Sequence, residues 1–234
     1  MNTVYWAPWT IQSLSFIEFP EVTRLKSTVT NKMKGVVSPD QGYHMCPAFQ
    51  QYSENIFELK SPVDFEIVRG NGGFYGTTGD QRFWDDFVYI RNENLVSLNI
   101  FYMFIPDFNV DIESTAAHFT DNEFTKKTMV VPGRFNAYKW LRPISCSFVI
   151  RNNVSSIKIN RGDTLMYLKV CTNEKIHTRK FIPNDFIPAI VQQNLDVKNR
   201  QKKLMPLSYW YDLYESSKLR KKIMRDITSN CLED

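Results

Sequence analysis

Apolar and polar residues alternate in short runs along much of the chain, and this period of two predicts β-strands. In the clearest run, Ile157 and Ile159 alternate with polar residues, residues 160–163 supply turn chemistry, and residues 165–170 resume an apolar strand. A strand, a tight turn and a second strand form the unit of antiparallel sandwiches and barrels. Further strands are predicted on either side of Ser61-Pro62 within residues 56–68, and over residues 83–90, 95–105, 129–131, 137–140 and 145–150.

Three segments lack a strand pattern. The segment Tyr43–Phe49 is predicted to be a loop that Phe49 holds in the core. Gly70–Gly79 contains five of the nine glycines, and a connecting hairpin is favoured there over a ligand cradle because no phosphate-binding spacing is present. Residues 107–128 are polar without a clear period and predict a long loop or a short helix near Ser114.

The character of the sequence changes after Pro183. Polar residues with two prolines predict a linker over residues 183–205, and Pro206 with Ser208 is typical of a helix start. The helix is expected to pack on the body at its start and to be freer at its end. Its rough apolar stripe consists of Trp210, Leu213, Ser217, Met224 and Ile227.

These patterns predict a mainly β fold, an antiparallel β-sandwich of jelly-roll type or a barrel, with a C-terminal α-helix. The body is expected to span residues 1–182 and the helical part residues 206–234. The 17 Phe, 11 Tyr and five Trp fit a large β core, with an aromatic-lined ligand or sugar surface as the alternative.

The net charge of +4 is confined to the C-terminal part of the chain. Residues 1–197 hold 20 basic and 20 acidic side chains, whereas residues 198–234 hold nine and five. Basic residues that alternate with aromatic ones can grip nucleic acid. The alternative, which we favour, is a helix with a docked aromatic face and a solvated basic face. The candidate nucleic-acid contacts are Lys202, Lys203, Arg220, Lys221 and Lys222.

Catalytic and metal-binding patterns are weak. The three histidines, His44, His118 and His177, do not form the His-x-Asp/Glu pattern of jelly-roll oxygenases, because Asp121 lies one position too far from His118. No cofactor is predicted. A divalent metal becomes the alternative if folding brings two of these histidines together with Asp121 or Asp64.

The cellular compartment and the state of the cysteines are inferred from patterns that the sequence does not contain. The four cysteines form no Cys-x-x-Cys pair, which favours free thiols in a reducing compartment. The segment at the N-terminus has no secretory pattern, and no apolar stretch is long enough for a bilayer. We therefore expect a soluble protein that is not secreted, in the cytoplasm (the host cytoplasm if viral) or in a virion.

Two resemblances add to this picture. Residues 46–49 leading into residues 55–67, the 95–106 strand, Arg161-Gly162-Asp163 and the aromatic C-terminal segment resemble a family of uncharacterised phage and bacterial proteins, which implies a viral protein and no activity. Residues 129–135 through 159–168 look like the last third of the dUTPase-type β fold. The Asp-x-x-Tyr-x-Gly motif of that family is replaced here by Pro132-Gly-Arg-Phe135, so its nucleotide-hydrolysing residues are not expected.

The leading hypothesis is a non-enzymatic accessory or structural protein that acts by protein–protein contact, as a homo-oligomer. The alternative is a jelly-roll-type metal-dependent enzyme or small-ligand-binding protein. Nucleic-acid contact through the C-terminal segment is the third hypothesis, and no membrane partner is expected.

Overall fold

The computed structural model describes residues 2–9, 17–34, 42–71, 73–76, 84, 86–90, 92, 94–192 and 218–232. Within them lie fifteen strands: β1 (Thr3–Pro8), β2 (Thr23–Arg24), β3 (Ile56–Lys60), β4 (Phe65–Gly70), β5 (Gly73–Gly76), β6 (Val88–Ile90), β7 (Leu95–Asn99), β8 (Tyr102–Pro106), β9 (Asp111–Ala116), β10 (Thr128–Val130), β11 (Gly133–Asn136), β12 (Ser145–Ile150), β13 (Ser156–Ile159), β14 (Thr164–Val170) and β15 (His177–Lys180). The helices with defined bounds are α1 (Leu25–Met33), a 3₁₀ turn (Tyr43–Met45), α2 (Pro47–Ser53), α3 (Glu123–Lys127) and the C-terminal helix (Lys218–Ser229).

The strands form four mostly antiparallel sheets. A five-stranded sheet has the order β11-β9-β14-β3-β2, and a four-stranded sheet has the order β10-β12-β7-β6. Two three-stranded sheets have the orders β15-β1-β8, in which β1 and β15 are parallel, and β13-β4-β5. The β-rich fold and the C-terminal helix are therefore confirmed, whereas the barrel alternative is wrong, since the sheets do not close over the described residues.

Two segments of the chain bend at a common corner, and each passes there from one sheet into another. One segment runs from β3 into β4, and the other runs from β13 into β14. β3 and β14 pair in the five-stranded sheet, and their continuations β4 and β13 pair in a three-stranded sheet. At the corner the Ser61 N–H donates to the Asp163 carbonyl at 2.8 Å, and the Gly162 N–H donates to the Ser61 carbonyl at 2.9 Å. Gly162 has a φ of +88°, which a residue without Cβ adopts at little cost. The predicted strands of residues 157–170 exist, but the hairpin is wrong because each strand pairs elsewhere.

All four sheets and the C-terminal helix contribute to one hydrophobic core. A smaller cluster lies between α1 and the five-stranded sheet, and Phe49 packs against it. Its buried members are Leu25, Val29, Ile56, Ala117 and Tyr167.

Several local predictions were wrong for identifiable reasons. The loop expected at Tyr43–Phe49 is a 3₁₀ turn followed by α2, which Pro47 opens at its first position. The strand expected over residues 95–105 is divided by Phe101, which has a φ of +54°. Residues 137–140 form a turn that follows β11. Residues 111–116, expected to be a long loop or a short helix near Ser114, form β9 between β11 and β14 in the five-stranded sheet.

The C-terminal helix is fixed to the body at its end rather than free. Ile223 and Ile227 are buried in the main core. Residues 230–232 then extend beside β15, where Phe181 and Cys231 form an antiparallel bridge. Residues 186–192, within the expected linker, are helical and bury Ile187 in the core. The expected helix start over residues 206–217, with Trp210, Leu213 and Ser217, lies outside the described residues.

Glu123 connects α3 to β13 and makes part of the stability depend on pH. Its Oε1 accepts hydrogen bonds from Lys127 Nζ at 2.6 Å and from the Lys158 N–H at 2.8 Å. These bonds, that from Lys127 first, lower the pKa of Glu123. Because the folded pKa lies below the ordinary value of 4.5, the stabilisation is fully present above that pH and is lost as the pH falls through the folded pKa.

We expect Glu123→Gln to flatten the acid side of the stability curve. The difference in Tm between wild type and variant should shrink as the pH is lowered from about 6 to about 3. Thermal unfolding over this range measures it, with the exposed Glu174→Gln as the matched control. A difference that stays constant across the range would contradict the role of Glu123.

Candidate functional site

Three aromatic rings contact one another at the surface beside α2. The rings of Tyr43 and Phe119 are stacked, with centroids 6.0 Å apart and an interplanar angle of 17°. Phe49 meets both rings edge-on, at 5.3 Å from Tyr43 and 5.2 Å from Phe119. Tyr43 remains 46% exposed, Phe119 37% and the neighbouring Met45 50%. We call these four residues the aromatic patch.

The local fold explains how one side of the patch forms. The Met45 N–H donates to the Gly42 carbonyl at 2.9 Å, and the Cys46 N–H donates to the Tyr43 carbonyl at 3.0 Å, which together close the 3₁₀ turn. A Cβ on Gly42 would lie 2.1 Å from the His44 ring, so any larger residue there would have to displace that ring. The turn therefore projects Tyr43 and Met45 outward while Phe49 anchors α2 inward.

The other side of the patch depends on Tyr167 of β14. Its hydroxyl accepts a hydrogen bond from the Phe119 N–H at 3.1 Å and lies 3.3 Å from Thr120 Oγ1. Tyr167 is fully buried, and burial raises the pKa of its hydroxyl, which keeps the group neutral and able to make both bonds. The loop after β9 is thereby held so that Phe119 reaches Tyr43.

Three of the four residues of the aromatic patch lie in an uncharged stretch of sequence. Residues 43–53 contain no Asp, Glu, Lys or Arg, while the exposed ion pair of Asp121 and Lys126, at 2.8 Å, lies just beyond Phe119 in the chain. Depletion of charge with enrichment of Tyr, Phe and Met is the compositional pattern of protein interface cores. The sequence predicts a loop over Tyr43–Phe49, but the pairing of this segment with Phe119 is a long-range contact that no local pattern indicates.

The fold brings two of the three histidines near this patch. His44 lies next to Tyr43, with ring centroids 6.5 Å apart, and its half-buried ring leaves Nδ1 without a partner among the described residues. The His118 ring meets the Tyr167 ring at 6.4 Å and lines, with Asp121, a small pocket of about 260 Å³. His177 instead opens β15 in another sheet, opposite Thr3.

The metal site considered as an alternative is not formed by the part of the chain that the structure describes. Within it, no three His, Cys, Asp or Glu side chains are grouped so that they could hold a metal ion. Asp64, the other candidate acid, accepts a hydrogen bond from the Arg161 N–H at 2.7 Å at the corner. The ligand set on which the metal-dependent alternative depends is therefore not assembled by these residues.

The candidate nucleic-acid contacts have different surroundings. Arg220 is 7% exposed, and its guanidinium donates to the Tyr138 carbonyl at 3.1 Å and to the Pro106 carbonyl. Burial lowers its pKa. Lys221 and Lys222 are exposed, and Lys222 Nζ lies 4.3 Å from the centroid of the Phe186 ring. Lys202 and Lys203 lie outside the described residues, and nucleic-acid contact stays a prediction.

The helices of the described residues are all too short or too polar to cross a bilayer. No protein-family model and no curated protein matches the sequence.

Proposed function

We propose that this protein acts by protein–protein contact and that it self-associates through the aromatic patch. The observation that carries the proposal is the stacking of Tyr43 on Phe119, two exposed rings held together from separate parts of the chain. Rings that are fixed in advance lose little side-chain entropy when a partner covers them. Tyrosine is enriched among the residues that dominate interface energies.

A second copy of the chain is the partner that the charge distribution favours. In a two-fold symmetric contact, the aromatic patch of one chain faces the same patch of the second chain. A charged residue at the centre of the interface would therefore meet a like charge. The uncharged stretch of residues 43–53 avoids this repulsion. The nearby Asp121 and Lys126 carry opposite signs, so they can pair across a symmetric interface as well as within one chain.

The proposal includes two further predictions from the sequence, a sandwich of jelly-roll type and a role in a virus. A sandwich of jelly-roll type is supported by the two strand pairs that change sheets together at the corner, since strands that switch sheets form the corners of packed sheets. The resemblance to phage proteins supports an accessory or structural role in a virus, in the host cytoplasm or the virion.

The proposal is tested by the oligomeric state of a patch variant. We expect the wild-type chain to form dimers in sedimentation velocity over a concentration series. The double variant Tyr43→Ser with Met45→Ser should weaken the dimer by about tenfold or more, because a single interface tyrosine can contribute on the order of 2 kcal/mol. Both side chains are about half exposed, so the fold should tolerate the change.

The matched control is Tyr75→Ser, which removes a tyrosine that is 51% exposed on β5. It should leave the dimer unchanged. A wild-type chain that stays monomeric at every concentration, or a dimer that is equally stable in the double variant, would contradict the proposal.

A further inference from the structure

The ring of His44 packs against the backbone of Gly42 at the start of the 3₁₀ turn. A Cβ on Gly42 would lie 2.1 Å from Cε1 and 2.2 Å from Nδ1 of this ring. Nδ1 is buried and has no hydrogen-bond partner among the described residues. The same turn carries Tyr43 and Met45, so the contact between Gly42 and His44 lies within the segment that presents two of the four patch residues.

The uncharged form of His44 suits this position better than the charged form. In a neutral imidazole one nitrogen carries the proton, so Nε2 can hold it while Nδ1 stays bare. The imidazolium carries a proton on both nitrogens. Its Nδ1–H would be a donor on a charged group, buried without an acceptor, which is costly. A protonated His44 ring therefore leaves its place against Gly42.

The turn has little else to hold it once the ring has moved. Two backbone hydrogen bonds close it, from the Met45 and Cys46 N–H groups. The His44 ring also meets the Tyr43 ring nearly edge-on, with centroids 6.5 Å apart and an interplanar angle of 83°. Movement of His44 removes both this contact and the packing on Gly42, so Tyr43 is no longer held in its stack with Phe119.

We propose that protonation of His44 releases the aromatic patch, so that the protein self-associates at neutral pH and separates in mildly acidic surroundings. The inference rests on the proposed self-association and adds its regulation. Histidine changes its charge between about pH 5 and pH 8. Because the neutral ring supports the patch, self-association is fully present above this range and is lost as the pH falls through it.

The elements packed against the turn bring one further group that titrates in this range. They are α1, α2 and the loop after β9. Lysine and tyrosine keep their protons between pH 7.5 and pH 5.0, and aspartate stays ionised. The hydrogen bond from Lys26 lowers the pKa of Glu54, which also stays ionised. This leaves His118 as the second candidate for a pH response. The titratable groups of these elements and their ends are Lys26, Lys32, Tyr52, Glu54, His118 and Asp121.

The test measures the dimer dissociation constant by sedimentation velocity at pH 7.5 and pH 5.0. We expect the wild-type dimer to weaken about tenfold at the lower pH, because an unpartnered buried N–H on a charged group costs about a factor of ten or more. His44→Phe keeps an aromatic ring beside Gly42 but cannot gain a proton, so its dimer should be equally strong at both pH values. His118→Gln is the matched control and should still weaken at pH 5.0.

Gly42→Ala should reproduce the acid state at neutral pH. Its Cβ displaces the His44 ring by contact alone, while the φ of −83° at Gly42 is one that alanine adopts without strain. We expect its dimer at pH 7.5 to be about as weak as the wild-type dimer at pH 5.0, with little further change on acidification.

A readout within one chain separates this proposal from the self-association itself. The nuclear Overhauser contact between the Tyr43 and Phe119 rings should be present at pH 7.5 and lost at pH 5.0 in the wild type. It should persist at pH 5.0 in His44→Phe. A chain that is monomeric at pH 7.5 would contradict self-association alone, and the ring contact then decides the switch. A ring contact that survives at pH 5.0 in the wild type, or an acid response that remains in His44→Phe, would overturn the proposal.

Discussion

Replacing Arg220 with alanine is expected to lower the free energy of unfolding by about 3 kcal/mol, because the side chain joins the C-terminal helix to the body. Its guanidinium donates to the carbonyls of Pro106 and Tyr138 and lies 4.1 Å from the centroid of the Tyr138 ring. The variant loses two charge-assisted hydrogen bonds and leaves two carbonyls without this donor. Urea unfolding measures the loss, and hydrogen exchange should show faster opening of residues 218–232.

Two companion variants make this result specific. Arg225→Ala removes an exposed cation from the same helix and should change stability by no more than about 0.5 kcal/mol. Arg220→Lys keeps the charge but not the planar fork, so it should recover only part of the loss. Equal effects of Arg220→Ala and Arg225→Ala would show that the buried contacts do not fix the helix.

Replacing Glu58 with alanine is expected to cost about 3 kcal/mol and to loosen α1. Glu58 is 1% exposed on β3, and its Oε2 accepts hydrogen bonds from Thr23 Oγ1 at 2.9 Å and from Thr28 Oγ1 at 2.5 Å. Thr164 Oγ1 lies 3.4 Å from its other oxygen. The carboxylate thus joins β2, α1 and β14. Its removal takes an acceptor from three hydroxyls, and among the described residues only Thr28 Oγ1 keeps another, Thr23 Oγ1 at 3.5 Å.

Glu58→Gln should cost less, about 1 kcal/mol, because the amide oxygen still accepts and the hydroxyls can rotate. Glu174→Ala, at an exposed position, is the surface control. Chemical unfolding with limited proteolysis of residues 23–34 provides the readout. The interpretation fails if Glu58→Ala leaves α1 as protected as in the wild type.

The sequence predicts strands better than it predicts their partners. Residues 157–170 show alternation on both sides of a turn, but alternation identifies the buried face and not the neighbour. β13 pairs with β4 and β14 pairs with β3, about a hundred positions away, and these two pairs meet where Ser61 is hydrogen-bonded to Gly162 and Asp163. Likewise the division between β7 and β8 rests on one positive φ at Phe101, within an apolar run that reads as continuous.

The candidate site was less predictable because its groups meet only in the folded chain. Arg220 stands in a basic run that is typical of a solvated helix face, and only the carbonyls of Pro106 and Tyr138 make it a buried contact. The patch depends on Phe119, which belongs to a polar segment without a clear period. Tyr167 lies in an apolar stretch that the sequence correctly predicts to be a strand. Its role in holding the loop that carries Phe119, however, follows from the register of β14 against β9.

The sheet of β15, β1 and β8 joins strands that are synthesised at different times, so β1 cannot take its place in the sheet as soon as it is made. β1 is synthesised well before its two neighbours, β8 and β15, which lie much later in the sequence. The outer edge of β15 then pairs with residues 230–232. Until these segments are synthesised, Tyr5 and Trp6 have no sheet to join and stay available to chaperones. Such distant pairing slows folding through the entropy of loop closure, so nascent chains of this protein should depend on chaperones until β15 and residues 230–232 have been synthesised.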